Sequence, residues 1–276
     1  MRSIVLGLAF AWCGSVFAAT GEIHFATWNI GHFSCGRSTQ AIIPDEKAEE
    51  MAARYRLFID YAGVEIMGLA EYSSCYTKTG KKRVPGALFP DWLIALEGTK
   101  RGLMCNALFL REGAVTETRE REYPDRVRSA YYKFARVRLN GVEFCLVETT
   151  LERTDSEEAP HRADKEKQIL TLIEDFKDEP YVIIGGDFQV RQIRGDTQDL
   201  WKEYDPFVKA GWKLAHRGEL KTAYTKKGGK PKLPLDNIIV KGFDIRDVRV
   251  QSDPALSDHA LLRATLVANP APEKKE

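Results

Sequence analysis

Five short segments of this 276-residue chain set chemically capable side chains at the ends of apolar runs. They are Asn29 in Thr27-Trp28-Asn29, Glu71 in Gly68-Leu69-Ala70-Glu71, Asp187 in Gly185-Gly186-Asp187-Phe188, Asp236 in Leu235-Asp236-Asn237-Ile238, and the Asp258–His259 pair in Ser257-Asp258-His259. A sheet that aligned those ends would gather acids, an amide and an Asp–His pair in one cleft. Hydrolysis of a phosphoester asks for such a set. A cation must neutralise the phosphate, a base must position water, and charge on the leaving oxygen must be stabilised. Magnesium takes hard oxygen ligands and keeps several waters, so one or two carboxylates suffice to hold it.

Glu71 follows the apolar run Val64–Leu69 and is the first candidate for such a ligand, against the plain reading of a surface loop glutamate. Asp187 emerges after Val182-Ile183-Ile184, where Gly185 and Gly186 let a backbone approach a ligand; the bland alternative is a turn aspartate. Neighbours on an extended chain point opposite ways, so Asp258 is not expected to orient His259. A remote carboxylate must do that, and Asp236 is the candidate. A lone Ser-Asp-His is more often a loop than a site, so this signal depends on its companions.

The elements that must position these residues follow from periodicity. Strands are expected at Glu22–Asn29, Val64–Ala70, Leu103–Leu110, Ala130–Leu139, Val142–Thr149, Tyr181–Ile184, Leu235–Val240 and Ala260–Val267. Asn140-Gly141 is a two-residue hairpin signal. Helical spacing marks Glu46–Tyr61 and His161–Phe176, and Leu200–Ala210 also reads as helical. A Gly/Lys/Pro-rich loop over Lys226–Pro234 carries Lys226, Lys227, Lys230 and Lys232, which attract a polyanion or are merely solvated. Hairpins mixed with long helices imply a mixed α/β sheet architecture in one domain over residues 20–269, with a disordered tail at 270–276.

Met1-Arg2 precedes an apolar run from Ile4 to Phe17, with small residues at Ala18 and Ala19. This pattern reads as a secretory signal peptide over residues 1–19, and hence as a secreted or periplasmic protein. The run is shorter than the ~20 residues of a spanning helix, so no transmembrane segment is expected in the mature chain. Cleavage removes Arg2 and no acid, so 41 basic residues become 40, against 40 acidic ones. That balance offers no broad attraction to polyanions. Cys35, Cys75, Cys105 and Cys145 remain. An oxidising compartment allows disulfides, and Cys35–Cys75 is favoured because both follow active-face strands; Cys105 and Cys145 read as buried thiols.

Taken in order, Thr-Trp-Asn, a strand ending in Glu, Gly-Asp-Phe, an Asp before Ile, and Ser-Asp-His resemble the endonuclease/exonuclease/phosphatase superfamily, the DNase I-like metal-dependent phosphoesterases. The resemblance spans about residues 22–268, and Arg128-Ser129-Ala130 and Asn106-Ala107 add to it. It implies a four-layer α/β sandwich with two central mixed sheets flanked by helices. By resemblance, Glu71 binds Mg²⁺, or Mn²⁺ in its place, with Asn29 and Asp258 beside it. Asp187 positions water or contacts the scissile phosphate, and His259, oriented by Asp236, contacts phosphate or transfers a proton. Arg128, Asn106 and Thr150 fall where phosphate is bound.

Two positions depart from the pattern. Gln189 stands where Asn commonly follows Gly-Asp-Phe, which moves the amide by one methylene. Thr150 stands where many members carry His, and a hydroxyl cannot serve as a histidine-like acid near neutral pH. The expected function is a monomeric phosphoesterase acting on nucleic acid, a phospholipid headgroup or a sugar phosphate. The alternative is a binding protein that keeps the fold and has lost catalysis.

Overall fold

Strands that bury both faces dictate the architecture, because each face needs its own partner layer. In β1 (Glu22–Asn29), Ile23 and Phe25 face one side while Ala26 and Trp28 face the other, and all four are buried. The computed structural model describes residues 21–31, 42–43, 45–72, 76–77, 91–96, 106–123, 131–151, 159–190, 203–224 and 230–270. The remaining strands are β2 (Ile42–Ile43), β3 (Ile66–Ala70), β4 (Tyr76–Thr77), β5 (Leu93–Leu96), β6 (Ala107–Leu110), β7 (Ala114–Glu122), β8 (Tyr131–Leu139), β9 (Val142–Thr150), β10 (Val182–Asp187), β11 (Lys213–Leu214), β12 (Asp236–Lys241), β13 (Phe243–Gln251) and β14 (Leu261–Ala268). Helices are α1 (Asp45–Ala62), α2 (Ala159–Asp175) and α3 (Asp205–Lys209).

Two six-stranded sheets form, ordered β13-β14-β1-β3-β6-β5 and β11-β12-β10-β9-β8-β7. Both are mixed, with β1/β3 and β9/β10 parallel and the other pairs antiparallel. Between the sheets lies one apolar cluster, in which Phe25, Ile66 and Leu108 meet Ala135, Leu146 and Ile183. On the outer face of the first sheet, α1 packs Tyr55 and Ile59 against Trp28 and Leu69. On the outer face of the second, α2 packs Ile169 and Leu172 against Val147 and Ile184. The result is the expected helix–sheet–sheet–helix sandwich.

Asn140 and Gly141 both have positive φ, +50° and +78°, as a type I′ hairpin requires, and they join β8 to β9. Only Asp205–Lys209 of the expected Leu200–Ala210 stretch is α-helix among the described residues, because Pro206 fits only a first turn and bars extension upstream. Cys145 is a buried free thiol, as expected. Residues 1–20, where a leader is expected, Cys35, Cys75, Cys105, Arg128 and residues 271–276 lie outside the described residues. No described helix is long and apolar enough to cross a membrane.

Register brings the chemical residues to one edge. Asn29 at the end of β1 pairs with Ala70 at the end of β3, just before Glu71. Asp187 at the end of β10 pairs with Thr150 in β9 and with Asp236 at the start of β12. The approach of β10 to β9 is close: a Cβ on Gly186 would lie 1.9 Å from the Thr149 carbonyl oxygen, and the residue has φ +145°. Only glycine is accommodated there.

Candidate active site

The pairing anticipated for Asp236 and His259 is present as a 2.8 Å hydrogen bond from His259 Nδ1 to Asp236 Oδ2. Side chains hold the backbone of His259 on both sides. Trp28 Nε1 donates to its carbonyl at 3.0 Å, and its amide donates to Ser257 Oγ at 3.0 Å. Ser257 Oγ in turn donates to the Asn29 carbonyl at 2.7 Å, so the serine of Ser-Asp-His clasps the end of β1. Asp258 points the other way and is exposed, with its carboxylate against Gly31, where a Cβ would lie 2.9 Å from Oδ1.

Asp187 is fully buried and accepts from Asn29 Nδ2 at 3.1 Å, from the Gln189 amide at 2.9 Å and from Gln189 Nε2 at 2.5 Å. The extra methylene of Gln189 is thus spent reaching back to Asp187, and its backbone sits at φ +51°, a region costly for a non-glycine residue. Asn29 Oδ1 accepts the Gly31 amide at 3.0 Å. Glu71 lies beyond β3 at φ +50°, close enough to Asp187 to repel its charge. Thr150 donates its hydroxyl to Asn106 Oδ1 at 3.2 Å, and Asn106 Nδ2 donates to the Glu148 carbonyl at 3.3 Å. These two therefore form a pair with each other at the end of β9.

Two residues at the site were not anticipated. Glu148 is wholly buried between the sheets; Thr27 Oγ1 donates to its Oε1 at 2.9 Å, and burial pushes its carboxyl well above the usual range, with Asp236 and Asp187 adding. His216, also buried, reaches the Asp236 carbonyl with Nε2 at 2.7 Å. Neither stands in a recognisable motif. A glutamate where a strand pattern calls for an apolar residue was the available signal for the first.

No family model and no curated protein sequence matches the chain. Solved structures do match. Humanised D. rerio TDP2 gives a TM-score of 0.65 at 16% identity, over 89% of this chain and 99% of that one. An endonuclease/exonuclease/phosphatase protein from Bacteroides vulgatus gives 0.64 at 16%, over 90% and 99%. A mannosyl-6-phosphatase from Bacteroides thetaiotaomicron gives 0.60 at 16%, over 89% and 99%. The fold is the DNase I-like one.

Within this DNase I-like frame the ionisable groups are driven apart. Burial opposes a charge on His259, but the Asp236 carboxylate, by charge and hydrogen bond, outweighs it; Asp187 and Asp258 add, and the pKa rises from 6.5 to about 10. Burial pushes Asp187 from 3.8 up to about 7, with Asp236 and Glu71 adding, while the charge of His259 and the Gln189 amide hold it back. Separated acid and base of this kind mark a site suited to proton transfer.

Asp187, Asp236 and His259 each bring one polar atom within 4.8 Å of the others, but the protonated ring of His259 has no free lone pair, so the carboxylates are the donors a cation would find here. Asp236 Oδ1 and Gln189 Oε1 are buried oxygens with no hydrogen-bond partner among the described residues. With Glu71 and Asp187 alongside, the pocket is rich in hard oxygen donors and in negative charge. That donor set fits a divalent cation of the magnesium type.

Proposed function

We propose that this protein is a secreted or periplasmic, divalent-metal-dependent phosphoester hydrolase that uses water as the nucleophile. The observation that carries this reading is the buried Asp187–Asp236–His259 cluster at the shared edge of the two sheets. Asp187 has its pKa displaced to about 7, where a general base works best near neutral pH, and His259 is held protonated as a hydrogen-bond donor.

Asp187, with a pKa near neutrality, serves as base toward water; Asn29 and Gln189 fix its carboxylate. His259 has Nδ1 committed to Asp236, so Nε2–H is the group it presents, and the ring carries positive charge. It donates to a phosphate oxygen or to the leaving oxygen. Asn106 and Thr150, bonded to each other beside this edge, would extend the phosphate-binding surface, and the sequence pattern alone adds Arg128 to that role. When bound, a divalent cation supplies the charge that neutralises the phosphate oxygens, and Glu71, Asn29 and Asp258 would hold it, with Mg²⁺ the first ion to test and Mn²⁺ the second.

Similar folds serve a TDP2 complexed with single-strand DNA product and a mannosyl-6-phosphatase, so both polymeric and small phosphoesters belong in the test. A second reading, a binding protein without turnover, is favoured by Thr150, whose hydroxyl is turned to Asn106, and by Gln189, whose amide is spent on Asp187. A panel of oligonucleotides, phospholipids and sugar phosphates, assayed with Mg²⁺ and with EDTA, separates the two. Turnover that needs metal supports the hydrolase; metal binding without turnover supports the binding protein.

A further inference from the structure

His216 sits where the edge of the second sheet runs out. β11 pairs Lys213 with Val240 and Leu214 with Ile239, and the Ala215 amide still donates to the Ile238 carbonyl at 2.8 Å. Continued by two residues, that ladder would set Arg217 opposite Asp236. Instead the chain turns away, and the Arg217 amide donates to Glu219 Oε2. Asp236 is left at the end of β12 with the outward amide and carbonyl of its backbone facing no strand. Two side chains replace the missing ladder. Thr222 Oγ1 accepts from the Asp236 amide at 3.0 Å, and His216 Nε2 lies 2.7 Å from the Asp236 carbonyl.

The tautomer of His216 follows from its partners. The Gly218 amide donates to Nδ1 at 3.0 Å, so Nδ1 is an acceptor, and Nε2 carries the proton and donates to Asp236. Burial lowers the pKa of this ring, consistent with a neutral imidazole. The His216 carbonyl accepts from Asn237 Nδ2 at 3.0 Å, which ties the same loop to the next residue of β12.

We infer that His216 is a positioning residue: its neutral Nε2–H fixes the Asp236 backbone and so aims the carboxylate that holds His259. This rests on the hydrolase reading for its consequence in turnover, but not for its geometry. A His216 that merely capped its own turn would matter through Nδ1 and Gly218. A His216 that positions Asp236 matters through Nε2. The two roles come apart in two substitutions. His216→Gln places an amide N–H near the Nε2 position and gives up the acceptor for Gly218, whereas His216→Asn keeps that acceptor and cannot reach Asp236.

The experiment compares both variants with the wild type by kcat, KM, thermal unfolding and the proton resonance of His259 Nδ1–H. Expected is a loss in kcat of about 10–100-fold in His216→Asn, the usual cost of removing a group that orients a site residue. KM should be little changed, the His259 signal shifted or broadened, and both recovered in His216→Gln. Equal or better turnover and an unshifted His259 signal in His216→Asn would overturn the inference. Should both variants fail to fold, ¹⁵N shifts of wild-type His216 decide: the Nε2–H tautomer supports it, and an Nδ1–H tautomer or a charged ring overturns it. If wild type hydrolyses nothing, the hydrolase reading fails, while the ranking of His259 signals still tests the positioning.

Discussion

Asp236 and His259 belong to different sheets, one at the start of β12 and the other just before β14, and their 2.8 Å hydrogen bond joins the two layers at the candidate site's edge. Two more polar links cross the same gap. Thr27 of the first sheet reaches Glu148 of the second at 2.9 Å, and Asn29 reaches Asp187 at 3.1 Å. The far end also has polar links, with Asn140 Nδ2 donating to the Glu22 carbonyl at 2.7 Å and Tyr181 to the Asn269 carbonyl at 2.6 Å, but at this end the links run to buried carboxyl groups. Burial in low dielectric makes each of those bonds strong and each unpaired partner costly. The chemistry and the closure of the sandwich therefore depend on the same contacts.

Asp236→Asn should uncouple the pair without emptying the space. The amide can still accept from Nδ1, but the charge that does most to sustain the imidazolium is gone, leaving burial opposed only by the weaker pull of Asp187 and Asp258. An NMR titration of His259 is expected to show the pKa falling markedly from about 10. Turnover should fall about 10²–10⁴-fold, the range for losing a proton-transfer group. An unchanged His259 titration would refute the electrostatic role given to Asp236.

Stability of the metal-free protein should decline as pH rises. His259 has a folded pKa raised above its ordinary value, so its contribution is full below 6.5 and is lost as pH climbs through about 10. Asp187 is an acid with a raised pKa, so the folded state again holds its proton more tightly, and stability is lost between 3.8 and about 7. The two slopes have the same sign. Urea midpoints measured in EDTA should therefore be compared with those of Asp187→Asn, and the wild type should lose stability relative to the variant between pH 3.8 and about 7. A wild-type midpoint that gains on the variant's through that range would contradict the assignment.

The sequence revealed the strand-end residues because a chain that buries both faces of its strands must announce where they stop. Asn29, Asp187 and Asp236 each interrupt such a run, and the pairing register brings them to one edge. Edge strands gave no such signal. β7, Ala114–Glu122, is a charged strand at the rim of its sheet, and in β13, Phe243–Gln251, the inward alternation of Phe243 and Ile245 is broken by a register shift between Arg246 and Arg249 before Val248 and Val250 resume it. His216 was equally silent. Its partners are backbone atoms of Asp236 and Gly218, and contacts to backbone leave no requirement on residue type or spacing elsewhere.

Glu148 explains a glycine that the motif pattern leaves unaccounted for. A Cβ on Gly68 would lie 1.9 Å from Glu148 Oε2, so the first sheet is notched to admit a carboxyl from the second. Gly68→Ala should destabilise the fold by about 1–3 kcal/mol, the usual cost of overpacking. In a Glu148→Ala background most of that cost should disappear, because the two residues share one space. Chemical denaturation of the double-mutant cycle measures the coupling. Strict additivity would show that the notch and the carboxyl are unrelated.

Metal-dependent turnover is the most direct test. The wild-type protein, freed of metal with EDTA and then supplied with Mg²⁺ or Mn²⁺, is assayed on oligonucleotides, phospholipids and sugar phosphates beside His259→Ala. Hydrolysis of at least one phosphoester is expected, silenced by EDTA, restored by the ion, and reduced by about 10²–10⁴-fold or more in His259→Ala. Hydrolysis that persists unchanged in EDTA or in His259→Ala, or no turnover on the whole panel, would contradict a hydrolytic site built on Asp187, Asp236 and His259.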